Sequence, residues 1–407
     1  MRWSPPKEPS GLPQILLNRN VPSIPMIPPK TVAEFFAGIG LMRLGLERAG
    51  WKTIWANDND PAKKLIYEHH FNEDTCEIFI LEDIHQLPPE SVPQVGLATA
   101  SFPCTDLSLA GARKGLSGSG SSAFWGFIDS LKNMGVSKPP LILLENVTGF
   151  LTSHGGNDFQ EACIALNQLG YTVDPFIVDA SNFVPQSRQR LFVVGVQESP
   201  PSTVEESGPL FFQSSCRPPA LADFIFWHPE IKWNLRRLPD FPETPRKLPD
   251  IVEELSPNSS YWWSKERSDY LLAQMSEKHR ETANSMIQGD DLSYGTVFRR
   301  VRKGKSMAEL RNDGIAGCLR TPRGGSGRQI LFEAGKGKFR VRLLTPKECA
   351  RLMGAANYQI DPKLPLNKAL FGFGDAVCAD VVEWIGKYYL NPIWEELTVA
   401  HTSQIKS

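Results

Sequence analysis

The 407-residue sequence lacks the features that would place it in a membrane or outside the cell. No apolar run approaches the about 20 residues that a membrane-spanning helix requires. The first residues do not form the continuous apolar stretch of a secretory signal. The seven cysteines are widely spaced, which favours neither a disulfide framework nor a zinc knuckle. We therefore expect a cytoplasmic protein with free thiols and no metal site.

The sequence also lacks an excess of charge of one sign, since its formal net charge is −1. This balance gives no overall signal of a nucleic-acid-binding protein, so such a role requires a local basic patch. No internal repeat is present. What is present is the composition of a globular chain, with 41% apolar and 22% charged residues. The length is that of about two or three domains.

Short apolar segments alternate with helical patterns from Thr31 to about Val196, which is typical of βαβ units and a parallel sheet. Several segments are apolar throughout, as expected when helices cover both faces of the sheet. The predicted strands are Thr31–Phe36, Thr53–Ala56, Val95–Phe102, Leu141–Leu144, Phe176–Val178 and Leu191–Val196. The predicted helices include Leu41–Ala49, Pro61–His70, Phe124–Met134 and Phe159–Leu169. We expect an α/β fold with a doubly wound, mostly parallel, Rossmann-like sheet.

Changes of composition divide the chain into predicted segments. They are a proline-rich arm (1–30), a main domain (31–197 plus 341–395), a smaller irregular domain (198–340) and a tail (396–407). In the smaller domain the alternation of strands and helices is lost, prolines recur and tryptophans cluster. The regular helical pattern that returns near Thr345 is expected to pack back on the main domain.

The turn Phe36-Ala37-Gly38-Ile39-Gly40 lies between the first strand and the first helix. Glycines at such a turn let a ligand approach the backbone; an ordinary tight turn is the alternative. The full GxGxxG fingerprint is missing, which disfavours a pyrophosphate ligand. Acidic residues follow the next two apolar segments, at Asp58-Asn59 and Asp83-Ile84, where they are placed to bond a ribose and an adenine amino group. An adenosine ligand without phosphates indicates S-adenosylmethionine.

Three other features are candidates for chemistry. Cys104 follows Phe102-Pro103 at the exit of an apolar segment, where it is either a nucleophile or a buried core thiol. Glu145 ends the strand Leu141–Leu144, which suits a proton donor or a carboxylate that caps the strand–loop junction. Arg188 and Arg190 lie two apart on an extended segment and so share a face. They can grip a carbonyl oxygen, a phosphate or an acid, or form a solvated pair at a sheet edge.

Six motifs then occur in a characteristic order. They are Phe36-Ala37-Gly38-Ile39-Gly40, Phe102-Pro103-Cys104, Glu145-Asn146-Val147, Gln186-Ser187-Arg188-Gln189-Arg190, Leu344-Thr345-Pro346-Lys347-Glu348-Cys349-Ala350-Arg351-Leu352-Met353-Gly354 and Phe373-Gly374-Asp375-Ala376-Val377. The series resembles the DNA (cytosine-5) methyltransferases, particularly the compact prokaryotic kind. The resemblance covers about 31–196 and 340–390, and the gap between them falls where this family keeps its target-recognition domain.

The resemblance implies methyl transfer from S-adenosylmethionine to carbon 5 of cytosine in double-stranded DNA, with S-adenosylhomocysteine as the product. Cys104 would add to carbon 6 and Glu145 would protonate N3. Arg188 and Arg190 would brace the site, with at least one of them near O2. The implied cofactor contacts are Phe36, Ala37, Gly38, Ile39, Gly40, Asp58, Asn59, Asp83, Ile84, Pro103, Phe124, Asp375 and Val377. Asp375 departs from the asparagine that is common there in the family. The resemblance favours a monomer and is compatible with a companion restriction endonuclease.

The implied reaction requires the cytosine to leave the base stack, because carbon 6 is not accessible inside a duplex. The Gly/Ser-rich segment after Cys104, with Arg113 and Lys114, is expected to close over the extruded base and to contact phosphate. Basic residues also cluster within 299–305 and 320–342, which supplies the local patch that the net charge conceals. The candidate DNA contacts there are Arg320, Arg323, Arg328 and Gln329, with Arg323 or Arg328 reading a guanine.

Two alternative functions remain open. One is a related enzyme that methylates transfer RNA, and the large basic region argues against it. The other is a DNA-binding relative without catalytic activity. The presence of Cys104, Glu145 and both arginines argues against that alternative.

Overall fold

A computed structural model of the chain describes residues 28–72, 78–103, 122–197, 199, 209–242, 246–302, 304–321 and 328–406. Within these residues the main element is a seven-stranded sheet with the order β3-β2-β1-β4-β5-β7-β6. Its strands are β1 (Thr31–Phe35), β2 (Lys52–Asp58), β3 (Phe79–Leu81), β4 (Leu97–Ala100), β5 (Leu141–Val147), β6 (Tyr171–Asp179) and β7 (Gln189–Gln197).

The large sheet is parallel except for β7, which runs antiparallel to both of its neighbours. Strand β1 lies between β2 and β4, and it pairs with β2 through Thr31 opposite Lys52 and with β4 through Val32 opposite Leu97. Because the parallel strands end at the same edge, the loops that follow them converge there. The predicted doubly wound, mostly parallel α/β fold is confirmed.

Helices cover both faces of the large sheet, since alternate side chains of its strands enter different cores. Val32 and Leu141 belong to one core, whereas Ala33 and Ile142 belong to the other. The first core is covered by α1 (Leu41–Arg48), α8 (Pro346–Leu352), α9 (Leu366–Asp375), α10 (Ala379–Ile385) and α11 (Asn391–Lys406), and the second by α3 (Ser122–Asn133), α4 (Asn157–Gln168) and α5 (Pro219–Trp227). Helix α2 (Pro61–Phe71) follows β2.

A second, antiparallel sheet has the order β11-β10-β8-β9. Its strands are β8 (Ser293–Arg302), β9 (Lys305–Arg311), β10 (Ile330–Gly335) and β11 (Lys338–Leu343). One face packs on α6 (Lys265–Ala273) and α7 (Glu277–Gln288), which contribute Leu271 and Met286 to a separate core. Regular strands therefore form in this part of the chain, where the sequence shows no alternation of strands and helices, although these strands carry many arginines.

The segment from Phe212 to Ile251 packs differently from the small sheet. Phe212, Leu221 and Trp233 enter one core of the large sheet, and Ile251 enters the other. The carboxyl-terminal helices also return to the large sheet, as expected: Gly45 of α1 leaves room for Ala379 and Val382 of α10. Among the helices of the described residues, none has the length and apolar character needed to cross a membrane.

Candidate active site

A cleft of about 1460 Å³ opens at the carboxyl ends of β1, β2, β4 and β5. Its opposite wall comes from β8, from residues 317–321 and from residues 374–377. The cleft brings together many of the residues predicted from sequence, which are Phe36, Ala37, Gly38, Ile39, Asp58, Asn59, Asp83, Ile84, Pro103, Glu145, Arg188, Arg190, Arg320, Gln329, Asp375 and Val377. Cys104, Arg113, Lys114 and Arg323 lie outside the described residues.

The turn after β1 is shaped by backbone in the left-handed region. Phe36 has φ 57° and Gly38 has φ 58°, and such values are uncommon for a residue with a side chain. The Gly38 N–H donates to Asp58 Oδ2 at 2.9 Å, and Asp58 Oδ1 accepts from the Asp60 N–H at 3.0 Å. A Cβ added to Gly38 would meet nothing closer than the Phe36 carbonyl oxygen at 3.9 Å. The turn therefore leaves open space beside a buried carboxylate.

Two residues predicted to contact the cofactor lie behind the cleft wall. A Cβ at Gly40 would come within 2.4 Å of Phe71 and 2.7 Å of Tyr67, so this glycine allows α1 and α2 to pack closely. The Phe124 ring is fully buried with its centroid 5.3 Å from that of Phe102, and its neighbour Ala123 lines the cleft instead. Neither position is supported as a direct contact by this geometry.

The residues predicted to contact adenine are positioned by hydrogen bonds between neighbouring strands. Asn57 at the end of β2 donates through its side chain to the carbonyl oxygens of Ile80 and Glu82, at 3.0 and 2.9 Å. This fixes the segment that carries Asp83, whose carboxylate accepts from the His85 N–H at 2.9 Å. Asp83 is exposed at the cleft and Ile84 is buried beside it, so the pair offers an acceptor next to an apolar surface.

At the other end of the cleft, Glu145 is 6% exposed and pairs with Arg190, with 3.0 Å between Glu145 Oε1 and Arg190 Nε. The pair forms because β5 and β7 are antiparallel neighbours, which places Val147 opposite Arg190. The next residue, Asn146, donates to the Phe102 carbonyl oxygen at 3.2 Å. This bond holds the Phe102–Pro103 segment, directly before Cys104, against the strand that carries Glu145.

Arg188 is 2% exposed, and its two terminal amino groups donate to backbone carbonyl oxygens. It donates to the carbonyl oxygens of Leu319 at 2.9 Å, Gly374 at 3.1 Å and Ala376. Burial lowers the pKa of this guanidinium, and the nearby positive charge of Arg190 adds to that effect. Arg188 therefore joins two segments of the cleft wall, whereas Arg190 presents a charge next to Glu145.

Cys318, which sequence reasoning did not select, also lines the cleft. Its Sγ lies 3.3 Å from an amino group of Arg188. Burial opposes ionisation of the thiol, but the positive charges of Arg188, Arg190 and Arg320 outweigh it, so the pKa of Cys318 is lowered. No pattern in the sequence indicates this, because Arg188 and Arg190 come from a segment that is distant in the sequence.

Lys63 and Glu34 are further cleft residues that the motifs did not indicate. The Lys63 ammonium lies 3.6 Å from Asp375 Oδ2 and 3.9 Å from Asp58 Oδ2, and Asp375 also accepts from the Thr321 hydroxyl at 3.1 Å. The acid at position 375 is thus balanced by a lysine. Glu34 had one available signal, since it is a charged residue inside the otherwise apolar or uncharged strand β1.

The predicted DNA contacts are not equivalent in the structure. Arg320 is exposed and lines the cleft. Gln329 is 7% exposed and donates to the Cys318 carbonyl oxygen at 3.3 Å, which suits a structural role better than contact with a base. Arg328 is half-buried and lines a small neighbouring cavity with Arg320. Arg299 and Arg300 of β8 face the cleft, so positive charge borders it on the side of the small sheet.

Comparisons with known proteins identify relatives of this chain. The family model of the C-5 cytosine-specific DNA methylases matches residues 30–391. The type II methyltransferase M.HpaII of Haemophilus parainfluenzae is 26% identical over 379 residues, which cover 89% of this chain and 90% of that protein. M.Bsp6I of Bacillus sp. (strain RFL6) is 34% identical over 167 residues, which cover 40% of this chain and about half, 51%, of that protein.

Solved structures share the fold at low sequence identity. The Dnmt2 methyltransferase of S. pombe superposes with a TM-score of 0.59 at 17% identity, covering 89% of this chain and 98% of that one. The methyltransferase EhMeth of Entamoeba histolytica gives a TM-score of 0.61 at 16% identity, with the same coverage of 89% and 98%. Since the family model spans nearly the whole chain, this protein belongs to the C-5 cytosine-specific DNA methylase family.

Proposed function

We propose that this protein is a DNA cytosine-5 methyltransferase that uses S-adenosylmethionine, forms S-adenosylhomocysteine and acts on a cytosine held outside the duplex. The observation that supports the proposal is that two groups of residues, each suited to one reactant, line the same cleft. One is the Asp58–Gly38 turn, and the other is the Glu145–Arg190 pair beside the segment that leads to Cys104. Double-stranded DNA is the proposed partner.

The residues of the first group fit an adenosine cofactor without phosphates. The turn offers open space at Gly38, the carboxylate of Asp58 lies beside it, and Asp83 provides a further acceptor. Val377 and Phe36 supply apolar surface to the same cleft. We propose that these residues hold the cofactor. When bound, S-adenosylmethionine supplies an electrophilic methyl group.

Carbon 5 of cytosine is a weak nucleophile, so the reaction requires activation of the ring. In the proposed mechanism the thiolate of Cys104 adds to carbon 6, which splits one difficult step into easier ones. Glu145 donates a proton to N3 as negative charge develops on the base, and Arg190 holds the carboxyl in place through its 3.0 Å contact. After methylation, loss of the carbon-5 proton and elimination of the sulfur regenerate Cys104.

We propose a role for Arg188 that differs from the contact near the cytosine that the family resemblance implies. Its guanidinium bonds backbone carbonyl oxygens of residues 319, 374 and 376, so we assign it as a positioning residue. It aligns the wall beside Glu145 with the wall beside the cofactor.

We propose that the small sheet with α6 and α7 presents the DNA to the cleft. Arg299, Arg300 and Arg320 face the cleft, and about half or more of protein–DNA hydrogen bonds go to phosphate and sugar, so we assign these arginines to phosphate. Base reading by Arg323 or Arg328 remains a hypothesis, and Ala at the reading position should relax preference at one base pair. This recognition unit is narrower than 198–340, because the segment from Phe212 to Ile251 packs in the cores of the large sheet.

Methylation of plasmid DNA, followed by bisulfite sequencing, tests the proposal. We expect 5-methylcytosine at one short sequence in DNA exposed to the protein with S-adenosylmethionine, and none with the Cys104→Ser variant. Equal transfer by the variant would refute the assigned nucleophile. A parallel reaction with transfer RNA separates the alternative substrate, because transfer to RNA without transfer to DNA would overturn the proposal. A monomeric state and a companion endonuclease remain proposals drawn from the resemblance.

A further inference from the structure

Cys318 differs from the other cysteines that the structure describes. Cys163, Cys216, Cys349 and Cys378 are buried, each at most 2% exposed, whereas Cys318 is partly exposed and lines the cleft. Burial raises the pKa of those four thiols, while the pKa of Cys318 is lowered. A thiol reacts as its thiolate, so Cys318 is the accessible and reactive cysteine of the described part of the chain.

Three arginines surround the Cys318 sulfur. Arg188 donates to it, with 3.3 Å between Arg188 Nη1 and Cys318 Sγ. Burial opposes ionisation of the thiol, whereas the charges of Arg188, Arg190 and Arg320 and a hydrogen bond from Arg190 favour it. All three arginines line the cleft. A molecule that approaches the sulfur from the cleft therefore meets positive charge.

Two buried polar atoms beside Cys318 have no hydrogen-bond partner within the described segments. Arg188 is 2% exposed and its Nε has no acceptor, and Gln329 is 7% exposed and its Oε1 has no donor. Both side chains contact Cys318, since Arg188 donates to the sulfur and Gln329 Nε2 donates to the Cys318 carbonyl oxygen at 3.3 Å. Both also line the cleft. Buried polar atoms are normally satisfied, so this unused donor and acceptor indicate a polar ligand beside the thiol.

We propose that Cys318 undergoes reversible thiol–disulfide exchange with a small disulfide that carries carboxylates. The thiolate attacks one sulfur of that disulfide, whose S–S bond breaks while a new S–S bond forms at Cys318. The other half leaves as a thiolate and takes up a proton from water. Cys318 is thereby oxidised and the leaving thiol reduced, so the disulfide is the only oxidant required. The three arginines favour anionic disulfides over cationic ones.

The position of Cys318 makes this exchange a reversible block of the proposed reaction. Arg190 bonds both the Cys318 thiol and Glu145, with 3.0 Å between Arg190 Nε and Glu145 Oε1. A group attached to the sulfur occupies the cleft beside the carboxyl that we assign to the base, and so excludes the cytosine. The exchange itself does not depend on the proposed function, whereas its effect on methyl transfer rests on it.

Peptide mapping by mass spectrometry measures the exchange after the natural chain is exposed to glutathione disulfide at pH 7 and low ionic strength. We expect a mixed disulfide at Cys318 before any at Cys349. Cystamine, a cationic disulfide, tests the class of ligand. The ratio of the rate with glutathione disulfide to the rate with cystamine should be at least about tenfold higher for Cys318 than for the neutral thiol β-mercaptoethanol. An equal ratio, or modification of Cys349 without Cys318, would overturn the inference.

A charge variant tests the part of the arginines in the same assay. Arg320→Gln should slow exchange between Cys318 and glutathione disulfide about two- to fivefold. Arg300→Gln is the matched control, because it removes the same charge from the same cleft, but not one of the three charges that favour the Cys318 thiolate. It should slow the exchange less than Arg320→Gln does, and an equal effect would refute selection by the arginines around the sulfur.

Methyl transfer to DNA measures the block. The natural chain should lose transfer in proportion to the fraction of Cys318 that carries the mixed disulfide, and dithiothreitol should restore it. Cys318→Ser keeps a hydroxyl donor for the Leu319 carbonyl oxygen, which the thiol now contacts at 3.3 Å. This variant, and Cys318→Ala as a second one, should transfer methyl groups equally before and after treatment.

The outcomes separate this inference from the proposed function. Equal loss of transfer in the natural chain and in the Cys318 variants would assign the block to another thiol and overturn the inference. Full activity of protein that carries the mixed disulfide at Cys318 would overturn it as well. Failure of the untreated natural chain to methylate DNA would instead overturn the proposed function, since mapping detects the exchange at Cys318 without any methyl transfer.

Discussion

The guanidinium of Arg188 joins two segments that reach the cleft from distant parts of the chain. Its donors bond the carbonyl oxygens of Leu319, Gly374 and Ala376. Because the side chain is 2% exposed, water cannot replace it without opening the wall. A buried carbonyl oxygen left without its donor costs about 1–3 kcal/mol, so the loss of all three bonds should cost at least about 3 kcal/mol. We predict that Arg188→Ala destabilises residues 317–321 and 374–377 by about this amount.

Native-state hydrogen exchange of the amides in these two segments is the measurement. Since about 1.4 kcal/mol is a tenfold change, exchange there should accelerate by roughly two to three orders of magnitude. Arg188→Lys keeps a cation but not the planar fork, so an intermediate effect is expected. The control is Arg236→Ala, which breaks a pair with an exposed Glu396 and should cost at most about 1 kcal/mol. Unchanged protection in Arg188→Ala would refute the positioning role.

Three further predictions concern single sites. Glu145→Gln should lower methyl transfer by about 10²–10⁴-fold, with S-adenosylhomocysteine affinity unchanged in calorimetry. Arg342 and Glu348 are both fully buried, with 2.6 Å between Arg342 Nη2 and Glu348 Oε1. In urea titrations Arg342→Met should therefore lower the free energy of unfolding by about 3–5 kcal/mol. The double variant Arg342→Met with Glu348→Leu should recover part of that loss. Iodoacetamide at neutral pH should modify Cys318 before Cys349, because the pKa of Cys318 is lowered whereas burial raises that of Cys349.

Each of these predictions has a contradicting result. Wild-type transfer rates in Glu145→Gln would remove that residue from the chemistry. Additive losses in the double variant of the buried pair would show that the two charges do not act together. Mass-spectrometric mapping that finds Cys349 alkylated first would show that the arginines do not activate Cys318.

The large sheet was predictable because its strands are short apolar segments with helices between them. Leu141–Leu144 was recognised from its composition, and the structure extends that strand to Val147. The small sheet was missed because β8 carries Arg299, Arg300 and Arg302, which obscure the buried Val297. Pairing with β9 and β10 places this strand in the sheet, and a local pattern of hydrophobicity does not contain that information.

The candidate site was predictable where its residues directly follow neighbouring strands of the sheet. The Gly38 turn and Asp58 were selected from their positions after neighbouring strands, and the structure joins them by a hydrogen bond of 2.9 Å. Contacts between distant segments were not predictable. Arg188 was selected, but its bonds to residues 319, 374 and 376 depend on how the segments pack, and the same is true of Lys63 beside Asp375.

The covalent step at Cys104 is the central claim and can be tested directly. A duplex that contains 5-fluorocytosine at the methylated position lacks the proton whose loss permits elimination, so the enzyme should remain attached to it. With S-adenosylmethionine present, we predict a stable protein–DNA adduct whose peptide maps to Cys104, and no adduct with Cys104→Ser. Methylation of ordinary cytosine without any adduct on the fluorinated duplex, or an adduct at another residue, would contradict the account.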